Sequence, residues 1–387
     1  MDILVAGVSV RGFVESAVRS GLGHRIVAVD HFGDFDLQRL CEHRSIKRDL
    51  GLSYDVRHLI TASHDLTFDA VAYTANLENH PSAVEALRRG KPVLGNSVSV
   101  LSSVRNPVRF FDFLARSGIP APRMAFSSKA LELDPDTTWL RKPVRSGGGH
   151  GIGFHAPGDR LARDAYLQEH LDGPPCGAVF VADGRDARLL GVSEQLIGQK
   201  EFGAGGFRYC GSILGPVETG QVAWGDLVGL VEGIVGAIAR KFHLVGVNGM
   251  DFMLRNGLAY PLEINPRYTA SMELVERAYN INIFDTHLAA CQGKLPLFDL
   301  VSQSGAGFFG KAILFAPDGL VFHDPQWWFD RSARDLPCEG ERIEAGRPIC
   351  TVFARGSSRG ECHDGLIEAA AAMYRAAREK DPPREDG

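Results

Sequence analysis

The chain has 387 residues, too long for one ordinary core, so two or three domains are expected. Apolar residues make up 44% and charged residues 23%; no apolar run nears the ~18 residues that cross a bilayer, and no signal peptide is expected before Met1. A net charge of −5 excludes a nucleic-acid footprint, and seven scattered cysteines without a CxxC pair exclude a disulfide framework or structural zinc and favour a reducing cytoplasm.

The first hundred residues alternate strand-like and helix-like stretches. "DILVAGV" leads through Gly7–Gly12 to a helical run ending at Arg19, then "RIVAVD" ends at Asp30. Further on, "FDAVAYTAN" precedes a helix opening at Pro81 and the apolar "PVLGN". The alternation predicts a small parallel sheet with helices on its faces. Gly7-Val8-Ser9-Val10-Arg11-Gly12 lacks the spacing of a dinucleotide fingerprint, so this unit reads as structural. A helix over 106–117 follows, with Gly118 as its cap and Pro120 as its stop. "LELDPDT" (131–137) reads as a loop.

"RKPVRSGGGHGIG" (141–153) places a lysine before its glycines, whereas a Walker loop places it after them and opens a helix. A hairpin fits better: Lys142 on a strand, and a flap from Ser146 through Gly147, Gly148 and Gly149 to Gly151. Its backbone N–H groups would close over phosphates. Taken alone, the glycines fit a surface loop equally well. About two dozen residues on, "YLQEHLDG" (166–173) is an extended segment whose backbone at Gln168, Glu169 and Leu171 can meet an adenine edge. "FGAGGFRYCG" (202–211) offers Arg208 and Tyr209 as candidate substrate contacts. Residues 226–243 carry apolar groups at helical spacing and should be core.

The most informative stretch is "NGMDFMLRNGLAYPLEINPR" (248–267). Asp251 and Glu263 flank Asn256-Gly257 inside two apolar strand-like runs, where an unsatisfied acid is costly. A magnesium ion bridging to nucleotide phosphates would satisfy both. Asn265 and Arg267 share the parity of Glu263 and hence its face. A two-residue turn at Asn256-Gly257 would set Asp251 opposite Leu262, with Glu263 facing away. A three-residue connection centred on Gly257, with that glycine left-handed, restores the opposition and is therefore expected. Beyond about residue 305, short strands ("FFGKAILFAPDGLVF", "GRPICTVFA") predict a small β-rich domain. A helix over 364–378 and a disordered tail at 379–387 close the chain.

With these residues in place, the chain resembles the ATP-grasp superfamily over roughly residues 100–300. The likeness rests on Lys142 with the glycine flap, the 168–171 segment and Asp251…Glu263-x-Asn265-x-Arg267. The biotin-carboxylase branch is similar in lysine, glycine run and acid spacing. "GVSVRG" and "DHFGDFD" look like a group of carboxylate–amine ligase-like proteins, some linked to one-carbon carriers such as methanopterin and methanofuran, to which glutamate is joined. The fold implied is α/β and α+β. It comprises an N-terminal parallel α/β pre-ATP-grasp domain (1–100), an ATP-grasp domain (101–304, with a flap subdomain at about 123–190) and a small β-rich C-terminal domain (305–378).

The resemblance implies a cytoplasmic ligase, ATP and Mg2+ (Mn2+ as an alternate ion), and small carboxylate and amine substrates; no residue pattern fixes the oligomeric state, for which a homodimer is only the common prior. Lys142, Ser146 and Gly147–Gly149 would hold phosphates, and Gln168, Glu169 and Leu171 would hold adenine. Asp251, Glu263 and Asn265 would hold the metal, and Arg267 with Asn265 would act on the reacting groups. Two alternatives stand: an ATP-dependent carboxylase using bicarbonate, and an ATP-binding protein without turnover. A second phosphate lysine, which relatives place about eleven residues before the "GIP" glycine, is missing here; that count falls on Pro107. Either nearby Arg105 substitutes or one contact is absent. The methionine-lysine-methionine of biotin carriers is also absent.

Overall fold

The computed structural model describes residues 1–127, 136–156, 158–217 and 222–380. Most of the expected 131–137 loop, and the tail beyond residue 380, lie outside the described residues.

Apolar β-branched runs too short for helices form the N-terminal sheet. β1 (Asp2–Ala6), β2 (Arg25–Asp30), β3 (Glu42–Ser45) and β4 (Ala70–Tyr73) pair in parallel in the order β3-β2-β1-β4. The central strands β2 and β1 are buried on both faces, which is why they read as continuous rather than alternating apolar runs. Helix α1 (Arg11–Arg19) connects β1 to β2, and helix α2 (Pro81–Arg88) follows β4, both as expected. "PVLGN" does not add a strand; it makes only an isolated parallel bridge, Val71 to Val93. Pro92 can lend that bridge its carbonyl but has no N–H to extend a ladder.

Asp30, at the end of β2, is fully buried; its Oδ1 accepts the Gly33 N–H at 2.8 Å, while Oδ2 has no partner among the described residues. Burial is the main force raising its carboxyl to about 7; the Gly33 and Val10 N–H groups oppose it, and Asp335 and Asp36 add to it. A folded pKa above the unfolded one means that stability falls as pH climbs from about 4 to 7. Asp30→Asn keeps the acceptor and removes the charge. It should gain on the wild type by on the order of 1 kcal/mol or more between pH 5 and 8. Urea unfolding at both pH values measures this; an equal difference at both would contradict it.

Helices α3 (Val98–Val104) and α4 (Pro107–Arg116) lead to the central region, with Gly118 left-handed just past α4 as expected. A small sheet follows, β5 (Met124–Ala125), β6 (Trp139–Pro143), β7 (Gly153–His155) and β8 (Ala165–Glu169), in the order β5-β8-β6-β7. The larger sheet begins with β9 (Pro175–Asp183), β10 (Ala187–Ile197) and β11 (Tyr209–Leu214). The predicted helix is α5 (Trp224–Phe242). Its Leu227, Val231, Ile234, Val235 and Ile238 are buried in one cluster with Phe180, Val192 and Phe252.

The hairpin strands β12 (Val245–Arg255) and β13 (Leu258–Asn265) form one edge of that sheet, and α6 (Met272–Tyr279) and α7 (Ile283–Cys291) follow. Beyond them come β14 (Phe308–Phe315), the short pair β15 (Leu320–Val321) and β16 (Arg342–Ile343), and β17 (Pro348–Gly356). The full order is β13-β12-β9-β10-β11-β14-β17, so the main strands of the 305–378 segment continue the central sheet. The last helix, α8 (Arg359–Lys380), is longer at both ends than its apolar spacing indicated. Among the described residues all seven cysteines are free, and no helix is long and apolar enough to cross a membrane.

Candidate active site

Asn256 and Gly257 both adopt positive φ (52° and 74°), and Arg255 pairs with Leu258. This is the two-residue primed turn, and the expected three-residue connection is absent. Asn-Gly tolerates left-handed backbone at both positions, so the tight turn is the cheaper one. The register then runs through Phe252 opposite Pro261 and shifts, leaving Leu262 as a bulge and setting Asp251 opposite Glu263. Pro261 has no N–H to offer the ladder, which makes its neighbourhood the natural place for an extra residue. The acids meet as expected, but through a bulge rather than through the turn.

Asp251 Oδ1 accepts from Gln195 Nε2 at 2.9 Å, and Oδ2 accepts from Asn265 Nδ2 at 3.1 Å. Burial first, then the facing Glu263, push the Asp251 carboxyl up to about 7. Glu263 is held below the usual range: burial opposes this, but Arg105 and Lys142 outweigh it. Burial and the facing like charge thus fall on Asp251, while the nearby cations keep Glu263 ionised. Two facing carboxylates with an amide beside them fit a magnesium ion, which takes one or two carboxylates and completes its shell with phosphate oxygens and water. No cluster of three or more His, Cys, Asp or Glu fit for a metal occurs among the described residues, and this ion does not need one.

Arg105 stands at the site, but all five of its N–H groups are used. They go to Glu263 Oε2 (3.0 Å), Ile264 O (3.0 Å), Asn79 Oδ1 (from Nε and Nη2) and Ser146 O (3.3 Å). It braces Glu263 and the flap rather than offering a spare donor. The ammonium of Lys142, on β6, has no hydrogen-bond partner among the described residues; burial lowers its pKa against the pull of Glu263 and Asp251.

Arg267 donates to Glu78 Oε1 at 2.7 Å, to Asn265 Oδ1 at 3.1 Å and to Tyr268 O at 3.0 Å, and its Nε is buried without a partner among the described residues. Glu78 and Asn79 lie on the turn Leu77–Asn79 of the N-terminal unit, and the sequence reading missed both. Just ahead of a helix-opening proline, "LEN" looks like ordinary capping chemistry. Its partners are 26 and 189 positions away, with no local signal to announce them.

The flap is latched shut. Gly148 and Gly149 have φ of 61° and 80°, Gly148 O accepts the Tyr209 N–H at 3.1 Å, and a Cβ on Gly149 would stand 1.8 Å from Phe207 O. Gly148 and Gly149 line the cavity; Ser146 and Gly147 do not, Ser146 being turned to His150, Asn79 and Arg105. Gln168, Glu169 and Leu171 line the cavity together. Glu169 N–H is spent on Arg123 O and His170 N–H on Thr138 O, whereas Leu171 N–H has no partner among the described residues. Leu171 is therefore the donor of the three that remains available.

Tyr209 lines the cavity, its hydroxyl 2.9 Å from Ser212 Oγ. Arg208 does not: its Nη1 donates to Gly346 O at 2.9 Å and its guanidinium covers the Phe315 ring, so the expected substrate contact is engaged elsewhere. The cavity measures about 630 Å³ and runs from the 168–173 segment, past Lys142 and the carboxylates, to residues of the N-terminal unit and of β14.

Residues 104–271 match the ATP-grasp domain family. An uncharacterised protein of Methanocaldococcus jannaschii is 22% identical over 371 residues, covering 92% of this chain and 88% of that protein. The carbamoyl phosphate synthase large chain of Thermoplasma volcanium is 23% identical over 261 residues; the match takes in 62% of this chain and only 23% of that protein. Biotin carboxylase of Campylobacter jejuni, solved as a β,γ-ATP complex, superposes with a TM-score of 0.69 at 14% identity, covering 98% of this chain and 91% of that one. This last likeness is one of fold.

Proposed function

Because the chain carries an ATP-grasp domain over residues 104–271, we propose that it is an ATP-dependent ligase joining a carboxylate to an amine through an acylphosphate. The observation that carries this reading is the bulged register setting Asp251 opposite Glu263 beside an unspent Lys142, in one cavity under the flap. Magnesium, when bound, would neutralise phosphate charge between Asp251, Glu263 and Asn265.

The chain's own groups position and exclude. Lys142 holds phosphate oxygens, Leu171 N–H meets the adenine edge, and Gly148 and Gly149 keep water from the intermediate. A substrate carboxylate oxygen attacks the γ-phosphorus and ADP leaves. The amine nitrogen then attacks the acyl carbon, phosphate departs, and the nitrogen gives up a proton. Arg267, steadied by Glu78 and with its Nε–H unspent, would hold the acyl phosphate by its charge and that donor. Glutamate as the amine and the acid of a one-carbon carrier precursor as the carboxylate form the first pair to try. The likeness to biotin carboxylase keeps bicarbonate as the second reading.

ADP release measured with acids and amines, singly and paired, with bicarbonate as a separate arm, tests this. Release that requires both an acid and an amine supports the ligase. Release with bicarbonate alone overturns it in favour of a carboxylase. MgADP binding without release for any pair overturns it in favour of a nucleotide-binding protein.

A further inference from the structure

The cavity does not end at the metal carboxylates. It continues across the sheet to Lys311 on β14, four strands from Asp251 in the order β12-β9-β10-β11-β14, roughly 19 Å at ~4.8 Å per strand. Around Lys311 the N-terminal unit, the central sheet and the C-terminal strands meet in a buried charge network. Arg11 spends all five N–H groups there: two on Glu273 (2.7 and 3.1 Å), two on Asp335 (both 2.9 Å) and one on Glu15 (2.9 Å). Asp335 also accepts from Thr351 Oγ1 at 2.6 Å. Arg11 therefore has nothing left for a ligand, and the two acids lining the cavity are already answered.

Two donors are left over. Lys311 is 3% exposed and gives one N–H to Glu273 Oε2 at 2.8 Å; among the described residues no other hydrogen bond uses its remaining two. Tyr268 is 8% exposed, lines the same cavity, and its buried hydroxyl has no partner among the described residues. Buried donors are normally paired, and an unpaired one costs about as much as a lost hydrogen bond. With the lining acids offset by Arg11 and Lys311, what is missing from this end is an acceptor.

We infer that Lys311 and Tyr268 form a distal subsite for an oxyanion, a carboxylate or phosphate group at the end of the substrate remote from the metal carboxylates. Resting on the ligase reading, this makes the substrate an extended molecule with an anionic terminus.

Calorimetric titration of the full chain with succinate, its uncharged diamide and inorganic phosphate, with and without MgADP, tests the subsite. The wild type should bind succinate or phosphate and ignore the diamide. The tighter of the two anions tells a carboxylate from a phosphoryl terminus, and either result supports the subsite. Lys311→Met and Tyr268→Phe should each weaken that anion by about tenfold or more, with MgADP affinity unchanged. Should Lys311→Met fail to fold, Tyr268→Phe decides, because it removes only a hydroxyl that bonds to nothing described in the fold. Anion binding equal to wild type in the variants, or none at millimolar concentration, would overturn the subsite. Loss of MgADP binding in the wild type would instead remove the ligase reading, and the titration without nucleotide would still settle the subsite.

Discussion

Glu263→Gln should lower ATP turnover about a thousandfold while leaving the fold intact. Glu263 is the acid that keeps its charge: Arg105 bonds it at 3.0 Å, Lys142 faces it, and burial and the like charge fall on Asp251 opposite. Removing that charge takes away the stronger of the two proposed anionic metal ligands, and metal neutralisation of phosphate charge supplies several kcal/mol of barrier lowering. The isosteric glutamine retains an acceptor for Arg105, so the brace from Asn79 to the flap survives. ADP release at saturating Mg2+, with circular dichroism as the control for folding, measures the effect. Turnover within tenfold of the wild type would defeat the metal assignment.

Gly149→Ala should cost about a hundredfold in kcat/KM, by a different route. The backbone there has φ of 80°, and an added Cβ would be driven into Phe207 O at 1.8 Å. A carbonyl belonging to an ordered loop cannot retreat as a flexible side chain could, so the flap must lift from residues 207–209. Displacing a closing element by an ångström is enough for a loss of this size. The Gly147→Ala variant is the control, since a Cβ there meets nothing within 4 Å. Equal activity in the two variants would show that the latch does not matter to turnover.

What the sequence revealed of this site divides along contact range. The acids, Asn265 and Arg267 were legible because spacing and strand parity are local quantities, and Lys142 because its order relative to the glycines is local too. The hairpin shows where that kind of reading stops. Opposition of Asp251 and Glu263 demands one extra residue somewhere, and parity cannot say whether it sits in the turn or in the strand. Asn-Gly took the tight turn, and the surplus fell at Leu262 beside Pro261. Glu78, Asn79 and Gln195 were invisible because each acts on a partner far along the chain. Arg208 misled for the complementary reason: a basic residue in a glycine cluster looks available until Gly346 and Phe315 are folded against it.

Arg11 sets how the molecule can breathe. A guanidinium with every donor committed to three acids ties α1 to α6 and to the loop holding Asp335, so swinging the N-terminal unit outward would strand several buried ions together. Hinged separation of these layers is thus an expensive route for traffic. The flap is fastened by far less, chiefly Gly148 to Tyr209 and Ser146 to its two neighbours. On the proposed function, entry of nucleotide and egress of product should follow that weaker seam rather than a parting of the layers.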